Sequence, residues 1–142
     1  MKPCLNFGDV VEVGRPRLEE MERVGNMYPN GDSVEACVAF TRQVGLVEGT
    51  VVQTYGIAAA STRKAEELSD VAEVWRATSQ FCQSALEVLS KLKDKYPFCG
   101  TPQLYDVVLD YKLAADKRYR GAMEEAECQK MDFPKGLLPE LS

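Results

Sequence analysis

From Asp32 to Tyr96 the chain contains no proline, and its apolar residues return with the period of an α-helix. Ala65, Leu68, Val71, Ala72, Trp75, Cys82, Ala85, Leu86, Leu89, Leu92 and Tyr96 share one stripe of a 3.6-residue helix. Glu66, Glu67, Asp70, Glu73, Arg76, Gln80, Gln83, Glu87, Lys91 and Asp94 take the opposite side. The pattern predicts an all-α fold: an antiparallel, up-down-up-down four-helix bundle with one short and three long helices. An irregular lead-in over 1–14 and a C-terminal tail over 132–142 are expected to flank it. At 142 residues the chain is one domain over 1–142, long enough to bury roughly 70% of its unfolded surface.

Helix one is expected to open at Pro16, because proline suits a first turn whose N–H groups are unpaired anyway. Its stripe is Leu18, Met21, Val24 and Tyr28, and Pro29 stops it. Asp32 or Ser33 caps helix two, whose stripe is Cys37, Phe40, Val44, Val47, Val51, Tyr55 and Ala58. Its many other apolar positions suggest burial on more than one side. Gly45, Gly49 and Gly56 each cost about 1 kcal/mol against alanine in a helix. They are read as a small-residue strip that lets a neighbouring backbone approach, with a hairpin over 44–56 as the competing reading. Ser61 or Thr62 is expected to start a helix three of about 50 Å. Thr101-Pro102 is expected to cap and open helix four, which carries Leu104, Val108, Tyr111, Ala115, Ala122 and Ala126 and fades near Met131.

The chain has no histidine. Ser-His-Asp and Cys-His nucleophiles, His-ligated zinc, the Glu-x-x-His di-iron site and a histidine pH switch are therefore excluded within one chain. Net charge is -5, which disfavours a nucleic-acid backbone or an anionic membrane as main partner. The basic group Lys112, Lys117, Arg118 and Arg120 is diluted by Asp110 and Asp116 and reads as solvated helix charge. Cys4, Cys37, Cys82, Cys99 and Cys128 are odd in number and widely spaced. That is unlike a disulfide framework or a zinc knuckle, so a reducing, cytoplasmic setting is expected. No signal sequence and no membrane span are evident, since Arg42, Gln43, Glu48 and Gln53 interrupt the most apolar run.

Tyr28-Pro29 and Tyr96-Pro97 end two helices in similar sequence contexts, each followed by a glycine and a capping residue. An alternating bundle puts both turns at one pole, where the N-termini of helices two and four present unpaired N–H groups. Tyr28, Asn30, Asp32, Tyr96, Cys99 and Thr101, with Phe98, form the candidate binding site there. A thiol just before a helix start can be activated, which makes Cys99 a candidate redox residue. Asp32 already supplies negative charge at that pole, and a pair of capped turns is the simpler reading. Trp75, the single tryptophan, sits mid-stripe as a core anchor.

The segment Glu66-Glu67-Leu68-Ser69-Asp70-Val71 resembles the second metal motif of MazG-like nucleotide pyrophosphohydrolases. The resemblance implies an all-α enzyme in which Glu67 and Asp70 hold Mg²⁺ together with a Glu-x-x-Glu pair on another helix. Helix two offers only Glu35 and Glu48, and the one Glu-x-x-Glu, Glu19 and Glu22, lies on helix one. The reading adopted is a non-enzymatic protein–protein interaction module without a cofactor. It is expected to self-associate or bind a protein partner through helix faces or the leucine-rich tail, with the Mg²⁺-dependent enzyme as the alternative.

Overall fold

The computed structural model describes residues 7–64 and 67–137. Every regular element among them is a helix: α1 (Phe7–Met27), α2 (Val34–Lys64), α3 (Leu68–Leu92) and α4 (Thr101–Leu137). The segment 44–56 lies within α2, so the helical reading holds over the hairpin.

Several expected boundaries are corrected. Helix one begins at Phe7 rather than Pro16 and carries Pro16 inside it, so most of the lead-in is helical and α1, at 21 residues, is not a short element. A proline inside a helix removes one N–H and crowds the preceding turn. Tertiary contact compensates, because Gly14 lets the α1 backbone lie directly on Phe81. A Cβ on Gly14 would come within 2.7 Å of that ring and 3.4 Å of Thr50. Ser61 and Thr62 do not start helix three. Thr62 donates instead to the Ala58 carbonyl at 2.9 Å inside α2, and Glu67 is the residue before α3. The alanine-rich turn before Ser61 favours carrying the helix onward. Accordingly α3 has 25 residues, about 37 Å rather than 50 Å. At the far end the helix runs through Asp132–Leu137 instead of fading near Met131. Residues 138–142 lie outside the described ones.

Ser33 proves to be the cap of α2: its Oγ accepts from Ala36 N–H at 3.1 Å and its carbonyl from Cys37 N–H at 2.9 Å. The cap of α4 is Gly100, whose carbonyl accepts from Leu104 N–H at 2.9 Å and whose φ is +81°, a value natural to glycine. Thr101 is already inside the helix. Its hydroxyl is buried without a hydrogen-bond partner, so it does not act as the expected cap.

Apart from α1 and α4, every pair of helices is in contact among the described residues, and α3 with α4 is the most extensive pair. Leu18, Met21, Phe40, Val47, Val51, Phe81, Leu89, Leu92, Tyr96, Leu104 and Val108 make the main core. A second cluster joins Ala58, Trp75 and Ala115, with Tyr55 and Tyr119 packed on it. Trp75 is the expected core anchor.

One polar link fixes the register of α3 on α4. Asp116 accepts from Ser79 of α3 and from Lys112 Nζ at 2.8 Å. Burial acts to raise the Asp116 pKa. The hydrogen bonds from Lys112 and Ser79, with the charges of Lys112 and Arg120, outweigh it and hold the carboxyl below its ordinary range. A depressed folded-state pKa stabilises the fold above the unfolded value near 3.9, and that gain is lost as pH falls through the folded value. Asp116→Asn is therefore expected to lower unfolding free energy by about 1–2 kcal/mol at pH 7. The deficit should shrink towards zero in denaturant titrations below pH 3.

Candidate functional site

The two Tyr-Pro turns do meet. Tyr96 is fully buried. Its ring stacks on Phe40 with centroids 4.0 Å apart, and its hydroxyl donates to the Gly25 carbonyl at 2.7 Å. Lys95 Nζ donates to the same carbonyl at 2.8 Å and to that of Tyr28. These bonds occupy carbonyls at the C-terminal end of α1 that have no partner within the helix. Gly31 passes beneath the second turn so closely that a Cβ there would lie 2.1 Å from the Lys95 carbonyl oxygen. Asn30 closes its own turn by accepting from Asp32 N–H at 3.1 Å.

The cysteines join the same corner. Cys37 Sγ donates to the Gly31 carbonyl at 3.2 Å, and Cys99 Sγ to the Cys37 carbonyl at 3.7 Å. Burial pushes the Cys37 thiol up, and its contact with Cys99 and the charge of Asp32 push the same way. Burial likewise raises Tyr96. Of the six candidate residues, Tyr96, Cys99 and Thr101 are buried, Tyr28 is half-buried, and only Asn30 and Asp32 are exposed. The pole is thus a packed corner, with Phe98 standing 93% exposed beside it.

A different arrangement lies at the α2–α3 end. Tyr55, Trp75 and Tyr111, from three helices, meet with ring centroids 5.1 and 5.0 Å apart. Arg118 lays its guanidinium 5.2 Å from the Trp75 ring centroid and donates from Nε to the Tyr55 hydroxyl at 3.1 Å. Above this cluster opens a cleft of about 560 Å³ whose lining includes Arg63, Leu68, Val71, Trp75, Arg118 and Glu125. Sequence reading missed it, since Arg118 looks like one of several solvated charges until the register of α4 on α2 and α3 is known.

Glu67 immediately precedes α3, exposed and making no side-chain cap bond, and Asp70 lies in the first turn. Glu22 is 3.2 Å from Lys91 Nζ, and Lys91 lies 21 residues from Asp70 along α3, about 31 Å away. The two acidic pairs therefore do not converge. Among the described residues no three Cys, Asp or Glu side chains gather as a metal site; Glu66 lies outside them. Nor is any described helix long and apolar enough to cross a membrane.

Gly31→Ala is expected to cost about 3 kcal/mol, because backbone rather than a pliable side chain must move; chemical denaturation measures it. Cys82 is buried and its thiol is pushed up to about 12 by burial, with Lys112 opposing and Asp116 adding to the rise. In a Cys4→Ser background, a chromogenic disulfide reagent should label exposed Cys128 first and half-buried Cys37 more slowly. Cys82 and Cys99 should react only on unfolding.

No protein-family model matches the chain, and no curated protein or solved structure shows significant similarity to it.

Proposed function

We propose that the chain is a non-enzymatic interaction module, an up-down-up-down bundle whose outward α2 face docks against an apolar helix of a second copy. Alternation of the helices is supported by contact order. Gly14 sits by Phe81 and Thr50, whereas Gly25 sits by Leu92 and Phe40. Ser79 meets Asp116, while Lys93, just past the end of α3, lies over Tyr105.

The observation that carries the reading is a helical stripe on α2: Val34, Val38, Arg42, Gly45, Gly49, Val52, Gly56 and Ala60, all exposed. Val34 is 79%, Val38 65% and Val52 44% exposed. The expected close approach of a neighbouring helix of this chain to the glycines is corrected here. A Cβ on Gly45, Gly49 or Gly56 would meet nothing within 4 Å. α2 is thus buried on one side only. The three glycines each cost about 1 kcal/mol in a helix, and no contact among the described residues requires them. A helix backbone approaching from outside would.

The stripe also suits its own copy. In an antiparallel pairing centred on position 47, Val38 faces Gly56, Gly45 faces Gly49, Val34 faces Ala60, and the Arg42 stem covers Val52. Each valine but Val52 then meets a small residue. A reducing, cytosolic setting belongs to the same reading and rests on the odd number and wide spacing of the five cysteines. Leu138 and Leu141 of the tail lie outside the described residues.

Gly49→Ala separates the explanations, because its effects have opposite signs. Dilute, monomeric protein should gain about 1 kcal/mol of stability, while light scattering at tens of micromolar should show weaker association. Gly49→Leu should leave a monomer. A wild-type chain that stays monomeric at tens of micromolar refutes the self-pairing.

A further inference from the structure

We propose that the cleft over Trp75 binds a small anionic amphiphile, a molecule carrying one carboxylate or sulfonate on an apolar body. The cleft's volume, about 560 Å³, falls within the usual range for small-molecule sites. Leu68, Val71 and Trp75 give it apolar walls and floor. Arg63 and Arg118 line it too, and neither forms an ion pair with a carboxylate among the described residues. Arg118 is held in place by the Tyr55 hydroxyl and the Trp75 face. That leaves four of its five N–H donors for another acceptor. A guanidinium fixed in this way suits an oxyanion that offers two acceptor oxygens, because little freedom remains to be lost on binding.

Charge complementarity selects the ligand. Among the described lining residues Glu125 is the single acid against two arginines, which gives that lining a net positive charge in a chain whose net charge is -5. Glu67 and Asp70 lie at the start of α3, at its positive end, and the cations that line the cleft are the two arginines. A neutral apolar ligand would make no use of them. An inorganic anion would make no use of the apolar walls.

Trp75 is the only tryptophan, so intrinsic emission reports on the cleft directly. Decanoate, titrated into the full chain below its micelle concentration, should change that emission saturably, with affinity measured in parallel by calorimetry. Decanol and decyltrimethylammonium should bind about tenfold more weakly or worse, and acetate should give no response. Arg118→Gln and Arg63→Gln should each weaken decanoate about tenfold. Gly121→Leu should block the cleft without removing a charge, since that lining glycine faces open space. Should Arg118→Gln disturb the aromatic cluster, Arg63→Gln on the exposed side of α2 keeps the test intact. Equal binding of the cationic or neutral ten-carbon probes overturns the proposal. So does wild-type decanoate affinity in the folded Arg63→Gln or Gly121→Leu chain.

Discussion

The Tyr96 hydroxyl on the Gly25 carbonyl, with Lys95 sharing that acceptor, is the bond on which the arrangement of α1 depends. It joins the end of one helix to the end of another 71 residues later. The phenol is placed by its stack on Phe40, so a single side chain ties α1 to the turn that follows α3 while its ring packs on α2. Gly31 makes the approach possible, since any side chain there would strike the Lys95 carbonyl. Buried polar bonds of this kind add modest net energy, but leaving the carbonyl unpaired would cost more. Their larger effect is to fix one register among many that greasy helix faces alone would allow.

Fold class was legible because helical periodicity repeats along the whole middle of the chain, and a repeated signal survives local exceptions. The Tyr-Pro turns were legible for a different reason: proline and glycine act on the backbone locally, whatever packs above. Boundaries were not, because distant contacts decide them. Pro16 reads as a start, yet Gly14 against Phe81 keeps α1 helical ahead of it. Thr62 reads as a cap, yet its hydroxyl turns back onto Ala58. A residue type that favours two local structures is settled by its surroundings.

The same limit governs the sites. Tyr28, Asn30, Asp32, Tyr96, Cys99 and Thr101 could be assigned to one corner from topology, but nothing in their identities revealed that half of them would be sealed inside it. Tyr55, Trp75, Tyr111 and Arg118 come from three helices, and their meeting depends on how far each helix has slid along the next. Sequence periodicity gives the face a residue occupies, not its height. The α2 glycines are the converse case: their spacing was plain, but whether they faced inward or outward needed the partner helices in place.

Among the described residues α1 and α4 make no contact while α2 and α3 touch, which gives the bundle the connectivity of a rhombus rather than a square. Two triangular prisms, α1–α2–α3 and α2–α3–α4, share one wall. Damage to α1 or α4 opens a single prism and leaves the other able to keep its shape. Damage to the shared wall is felt on both sides at once, so α2 and α3 are where the chain has least mechanical redundancy.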